Sequence, residues 1–177
     1  MKHLANSIIF IGMTCSGKST IANELCKEIS YKKASFGGYL FNYAQKNNLD
    51  TKKDTLQVIG QNFVEIDYKT FLSNVLEFSQ AGENVIFEGV RHIVMLDEIK
   101  QISSNVITFF IDTPFELRYQ RFNQREADKI TKDHFLSLDN HPVEKEITIL
   151  KESCDFVLDG RNSIAAILDE VISKINL

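Results

Sequence analysis

Gly12-Met13-Thr14-Cys15-Ser16-Gly17-Lys18-Ser19 fits the pattern GxxxxGK followed by Ser or Thr, set between the apolar run Ser7-Ile8-Ile9-Phe10-Ile11 and a helix-like stretch. Strand, glycine-bounded loop and helix in that order form a cradle for anionic oxygen, because successive backbone N–H groups and a helix N-terminus converge on one point. In such a loop Lys18 reaches the β and γ phosphates of a nucleotide and Ser19 offers its hydroxyl to Mg²⁺. Gly12, Thr14, Cys15, Ser16, Gly17, Lys18, Ser19 and Thr20 are therefore the expected binding residues for ATP, with Mg²⁺ as the accompanying ion.

The rest of the chain must supply a sheet around that first strand. Strong apolar runs recur at Asn84-Val85-Ile86-Phe87, at 105–111 and at Phe156-Val157-Leu158, with a weaker strand ending at Ala34-Ser35. Runs apolar on successive residues suggest strands covered on both faces. Between them, helical periodicity predicts helices over about 37–47, 51–79, 92–101, 114–126, 142–151 and 163–175. After the loop, Ile21, Ala22, Leu25 and Ile29 recur at helical spacing, and Asp112-Thr113-Pro114 places a cap and a proline at a first turn. Alternating β and α with short connections predicts an α/β fold with a mostly parallel sheet between helices. At 177 residues one domain suffices, since about 70% of the unfolded surface can be buried at this size.

Composition excludes more than it selects. The net charge of −4 leaves no general polycation for coating nucleic acid. No stretch reaches membrane-spanning length, and Met1 to Asn6 carries no secretory signal. Cys15, Cys26 and Cys154 are odd in number and lack CxxC spacing, which argues against a disulfide framework and a zinc site. A reduced, cytoplasmic setting is the expectation, with no membrane partner and an open oligomeric state. No Asn-Lys-x-Asp guanine motif follows any strand, so a GTPase-like switch is disfavoured.

The chain resembles the nucleoside monophosphate kinase group of P-loop kinases, and within it the branch of dephospho-coenzyme A kinase, its cytidylate-kinase-like relatives and phage deoxynucleotide monophosphate kinases. The resemblance is carried by Gly12 to Ser19, by Ser35-Phe36-Gly37-Gly38-Tyr39-Leu40 with Leu56 to Gly60, and by Phe87-Glu88-Gly89-Val90-Arg91-His92. Arg118, Arg121 and Arg125 follow, and Asp155 to Gly160 closes the set. It implies a three-layer fold whose five-stranded parallel sheet runs 2-3-1-4-5, an acceptor-binding region at 36–80 and a short lid at 126–141, all within one domain over 1–177.

Phosphoryl transfer needs positioning and charge cancellation more than covalent help. Arg118, Arg121 and Arg125 share one narrow helical face and can deliver guanidiniums to one place. Arg121 and Arg125 are the expected catalytic pair, with Arg121 also on the nucleotide. Glu88 and Arg91 end a strand, where open α/β sheets bind ligands. The resemblance puts an acid at 88 near Mg²⁺, directly or through water, and Arg91 on the acceptor's phosphate. Glu88 stands where the relatives carry aspartate.

Kinases that phosphorylate a hydroxyl usually need a carboxylate base after strand 2, whereas a phosphate acceptor is already an anionic nucleophile. Lys33-Ala34-Ser35-Phe36-Gly37-Gly38 has none there. A small-molecule nucleotide, a (deoxy)nucleoside monophosphate, is the favoured acceptor. The alternatives are a hydroxyl-acceptor kinase of the dephospho-coenzyme A kinase type, with Glu88 as base, and a kinase acting on a modified base in DNA. Phe36, Tyr39, Phe41 and Tyr43 offer faces for a base. The lid holds little in its sequence to anchor it, so it is expected to open when empty. His92, His134 and His141 read as surface histidines. Cys15 reads as passive, although a helix N-terminus can lower a thiol's pKa.

Overall fold

The computed structural model describes residues 3–125 and 129–175. Strands β1 (Leu4–Ile11), β2 (Lys32–Ser35), β3 (Asn84–Glu88), β4 (Ser103–Asp112) and β5 (Phe156–Asp159) form one parallel sheet in the order β2-β3-β1-β4-β5. Helices α1 (Lys18–Glu28), α2 (Phe36–Lys46), α3 (Lys53–Phe78), α4 (Ile93–Ile102), α5 (Phe115–Arg125), α6 (Lys132–Asp139), α7 (Pro142–Glu152) and α8 (Ile164–Ile175) complete the chain. Among the described residues no helix is long and apolar enough to cross a membrane.

Period-two alternation divides β1 between two cores. Ile8 and Phe10 meet Ile21 and Leu25 of α1 and Ile167 and Val171 of α8 on one face. Leu4, Ile9 and Ile11 meet Leu40, Leu72, Val75 and Leu96 from α2, α3 and α4 on the other. Both faces are dry, which is why the strands read as continuous apolar runs. Each such side chain, fully buried, contributes about 1.5–3 kcal/mol.

Register then fixes the upper edge of the sheet. Phe10 of β1 lies abreast of Glu88 in β3 and of Phe109 in β4, while Ser35 of β2 also pairs with Glu88. The chain leaves β1, β2 and β3 at one level, so the loop after Ile11, Ser35 and the segment from Glu88 to His92 are neighbours although they are far apart in sequence.

Two expectations are corrected here. The 51–79 helix bends at Asp67, whose φ of −161° and ψ of 88° are not helical. Asp67 is the cap of the second half: its Oδ1 accepts from Lys69 N and Thr70 N, and its Oδ2 from the Thr70 hydroxyl. The segment expected to be a lid is also anchored. Positions 126–128 lie outside the described residues, but the described part contains α6, whose Phe135 and Leu138 are buried against Phe122, Phe115 and Tyr119. Tyr119 Oη donates to Ile130 O at 3.0 Å, and Thr131 Oγ1 caps α6 by accepting from His134 N. Short amphipathic segments with one aromatic anchor carry too little periodicity to be read from sequence.

The last strand joins the sheet through a contact that admits no side chain. Gly160 N donates to Asp112 O at 2.7 Å, and a Cβ on Gly160 would lie 1.8 Å from Thr113 Oγ1 and 2.9 Å from Thr113 Cβ. Gly160→Ala is expected to lose about 1–3 kcal/mol, since Thr113 Cβ cannot rotate away. The melting temperature should fall by about 2–10 °C in a calorimetric scan.

Candidate active site

The loop between β1 and α1 closes on itself. Gly12 (φ 149°) and Gly17 (φ 108°) occupy backbone regions that suit glycine, and Cys15 (φ 61°) takes a left-handed turn between them. Lys18 Nζ donates to Gly12 O at 2.6 Å, to Met13 O at 2.7 Å and to Ser16 Oγ at 3.3 Å. Burial, reinforced by Arg91 and opposed by Glu88, pushes the Lys18 ammonium from its ordinary 10.5 down to about 7.

Ser19 and Glu88 meet at the end of β3. Ser19 Oγ donates to Glu88 Oε2 at 2.7 Å, and Ser35 Oγ donates to Glu88 Oε1 at 2.5 Å. The carboxylate at the end of β3 is thereby fixed between α1 and β2. Hydroxyl and carboxylate oxygens side by side are the hard donor set that Mg²⁺ takes, so these residues fit the ion.

Two cavities adjoin this junction. One is lined by Cys15 to Thr20 with Arg121 and Arg125. The other, about 250 Å³, runs from Lys18, Ser19 and Glu88 past Arg91 and Lys53 to a mostly apolar end formed by Phe36, Leu40, Leu56, Val64, Phe71 and Met95. Cys15, Lys18, Ser19 and Arg125 belong to both, so the cavities share a wall. Arg121 is held by donating to Ser16 O at 3.2 Å and Gly160 O at 2.9 Å, which sets its guanidinium beside the loop.

Arg118 does not join its two neighbours. It is buried and donates through both Nη atoms to Asp139 at 2.8 and 2.5 Å, through Nε to Thr113 O and through Nη1 to Thr14 O. It is a strut between α5, α6 and the loop.

Arg91 is gripped by a residue the sequence reading missed. Its Nη1 donates to Oε1 of Glu144, which is fully buried and also accepts from Thr14 Oγ1 at 3.1 Å and Gln57 Nε2 at 3.2 Å. Because an ionised carboxylate only accepts, the Gln57 amide must turn its nitrogen toward Glu144. Gln57 Oε1 and Glu144 Oε2 are left buried without a hydrogen-bond partner. Lys53, four residues before Gln57 on α3, lines the same cavity and was likewise missed; the i, i+4 spacing was its only signal. Glu144 had none, since its partners lie 53, 87 and 130 residues away.

Other expected residues fall differently. Phe36 lines the cavity of about 250 Å³ together with Phe71, whereas Tyr39 and Tyr43 pack on Phe63 and Phe41 is exposed. His92 is buried rather than on the surface, its Nδ1 3.0 Å from Glu146 Oε1. The Cys15 thiol is pushed up, not down: burial outweighs Arg125, Lys18, Lys53 and Arg118. Ser163 Oγ caps the last helix by accepting from Ala166 N. No group of three or more metal-ligating side chains occurs among the described residues.

Strand order, loop and cavities together define a kinase-type P-loop phosphotransferase, which uses ATP with Mg²⁺. The family model described as "AAA domain" matches residues 8–151, and the chain belongs to that family, in the nucleotide monophosphate kinase group of P-loop kinases. A cytidylate kinase of Thermoplasma acidophilum is 30% identical over 139 residues, covering 78% of this chain and 71% of that one. A UPF0200 protein of Pyrobaculum aerophilum is 22% identical over 98% of both. The fold is shared with shikimate kinase from Aquifex aeolicus (TM-score 0.62, 20% identity, 96% of each chain). It is shared as well with deoxyadenosine kinase from M. mycoides with bound dATP (TM-score 0.59, 16% identity, 97% of this chain and 100% of that one).

A phosphate beside Lys18 favours its charged form, so its depressed pKa must rise when nucleotide binds. ATP binding at pH 8 should therefore take up about one proton, an uptake that shrinks as the pH falls through 7 because free Lys18 is then already protonated. Calorimetry in buffers of different ionisation enthalpy reads this directly, and Lys18→Met should remove most of it. Separately, Glu144→Ala strands Arg91 without its counter-charge and is expected to cost about 3–5 kcal/mol. Arg91→Met combined with Glu144→Met should lose clearly less than the sum of the single changes in denaturant melts.

Proposed function

We propose that the chain transfers the γ-phosphoryl group of ATP to the phosphate of a nucleoside monophosphate. The carrying observation is the second cavity, whose wall carries Lys18, Lys53, Arg91 and Arg125 with Glu88, while Glu144 backs Arg91 from outside the lining. A wall richer in cations than in acids suits an acceptor that brings negative charge of its own. Beyond the charged end, Phe36 and Phe71 sit among aliphatic side chains as a slot for a flat base, and Gln57 Oε1 offers an acceptor to an exocyclic amino group. The Thermoplasma relative, named a cytidylate kinase, agrees with an amino-bearing base.

In this reading each residue has a defined task. Loop N–H groups and Lys18 hold the donor phosphates, and Ser19 with Glu88 seats Mg²⁺, which cancels charge on the transferring group. Arg91 grips the acceptor phosphate through its planar fork, and Arg121 and Arg125 approach from α5. The acceptor's phosphate oxygen attacks the γ-phosphorus, the bond to the β-bridging oxygen breaks, and no proton need be removed from the nucleophile.

A second reading has one observation in its favour. Glu88 lines the acceptor cavity and is held by Ser35, so it stands where it can take a proton from a hydroxyl acceptor. Release of ADP across a panel of nucleoside monophosphates, nucleosides and small hydroxyl compounds separates the two. The expected result is highest kcat/KM with an amino-bearing monophosphate, and Arg91→Lys should raise its KM about tenfold while that for ATP stays within twofold. Turnover best with an unphosphorylated hydroxyl compound would overturn the monophosphate reading.

A further inference from the structure

Lys53 is the cation whose surroundings make least sense in the protein alone. It opens α3 and its side chain turns into the acceptor cavity, yet no hydrogen bond or ion pair joins it to another described residue. Other lysines are placed differently. Lys27 meets Glu24, Lys69 meets Glu98, Lys132 meets Glu116 and Lys151 meets Asp112. Carboxylates are near Lys53 in sequence but do not turn toward it: Asp54 is exposed, and Asp50 is exposed with its Oδ1 accepting from Lys52 N.

The charges that do face Lys53 mostly repel it. Burial lowers its pKa well below the ordinary lysine value, and Arg91 and then Lys18 push it further in the same direction, with Arg125 adding a smaller effect and Cys15 opposing. A half-buried ammonium among three other cations, without a hydrogen-bond or ion-pair partner among the described residues, is a cost to the empty fold. A phosphomonoester dianion in the cavity removes that cost, because it brings charge and acceptor oxygens to the place where both are missing.

We propose that Lys53 is a ligand of the acceptor's phosphate and, with Arg91, selects phosphorylated acceptors over their unphosphorylated counterparts. This rests on the monophosphate reading above and adds to it a residue and a basis for selectivity. Arg91 contributes a planar fork fixed from behind by Glu144, whereas Lys53 contributes a compact charge on a flexible stem. The first sets orientation and the second adds attraction that tolerates small shifts of the phosphate during transfer.

The test uses the full chain and three measurements. Lys53→Met should raise KM for the best monophosphate about 10- to 100-fold, the range expected when a charged hydrogen-bond partner is lost, with KM for ATP within twofold. Lys53→Arg should recover most of the loss. The same Lys53→Met protein, without ligand, should melt at or above the wild-type temperature, because an unpaired charge has been removed. A drop in melting temperature with parallel losses for ATP and acceptor would assign Lys53 a structural role and overturn the proposal. If the wild type prefers monophosphates and Lys53→Met keeps both that preference and the acceptor KM, only the assignment of Lys53 falls. If the wild type prefers unphosphorylated hydroxyl compounds, the monophosphate reading and this one fall together.

Discussion

The structure turns on the absence of a side chain at Gly12. A Cβ there would lie 2.7 Å from Ile111 O and 2.8 Å from Ser16 Oγ, so any other residue would drive the loop away from β4. Because the gap is closed, β1 hands the chain straight into a turn tight enough for Lys18 to reach back to Gly12 O and Met13 O. The same turn brings Ser16 O to Thr113 Oγ1 at 2.9 Å and to Arg121, which ties the loop to the end of β4 and to α5. The active-site elements are positioned relative to this one backbone approach.

Around that fixed loop the charges are arranged unevenly. Arg118 and Arg91 are each matched by a buried carboxylate, Asp139 and Glu144, while Lys53 has none among the described residues. Matched cations hold the fold together where α5 meets α6 and where the segment after β3 meets α7. Lys18 is a third case, satisfied by carbonyls of its own loop, with Glu88 near enough to favour its charge. The unmatched charge concentrates on the wall that faces the cavity, and a uniformly stabilised fold would not place it there. Glu88 marks the boundary between the two regimes, since hydroxyls of Ser19 and Ser35 hold it while its charge favours the protonated forms of Lys18 and Arg91.

Legibility in sequence followed locality. Gly12 to Ser19 is contiguous, and its meaning is written in eight residues; the strands were legible because burial on both faces leaves unbroken apolar runs such as Val106 to Ile111. The sheet order, by contrast, came from the resemblance and not from any residue pattern. Glu144 was illegible because its partners come from other elements, and a lone glutamate in the first turn of α7 looks like ordinary helix-terminus chemistry; Lys53 was illegible because a lysine near a helix start reads as a solvated side chain. Asp67 was overlooked for the opposite reason: the apolar pattern runs on through it, and only the Asp-x-x-Thr spacing marks a new cap. Sequence periodicity reports what faces a core, and it is silent on a cap such as Asp67 and on a side chain such as Lys53 that lines a cavity.

The three arginines of α5 show why a shared helical face is not a shared role. Arg118 lies one turn nearer the start of the helix than Arg121, and that turn sits against α6 and Thr14 rather than beside the mouth of the loop. Burial there makes Asp139 its necessary partner, since an unpaired guanidinium would cost several kcal/mol. The pair, together with Phe135 packed on Phe115, Tyr119 and Phe122, fastens α6 to α5, while Arg118 and Arg121 fasten α5 to the loop through Thr14 O and Ser16 O. The described part of the segment expected to be a lid is therefore no independent flap. For α6 to swing alone, a buried bidentate ion pair and an aromatic cluster would have to separate at once, so α6, α5 and the loop are held as one unit.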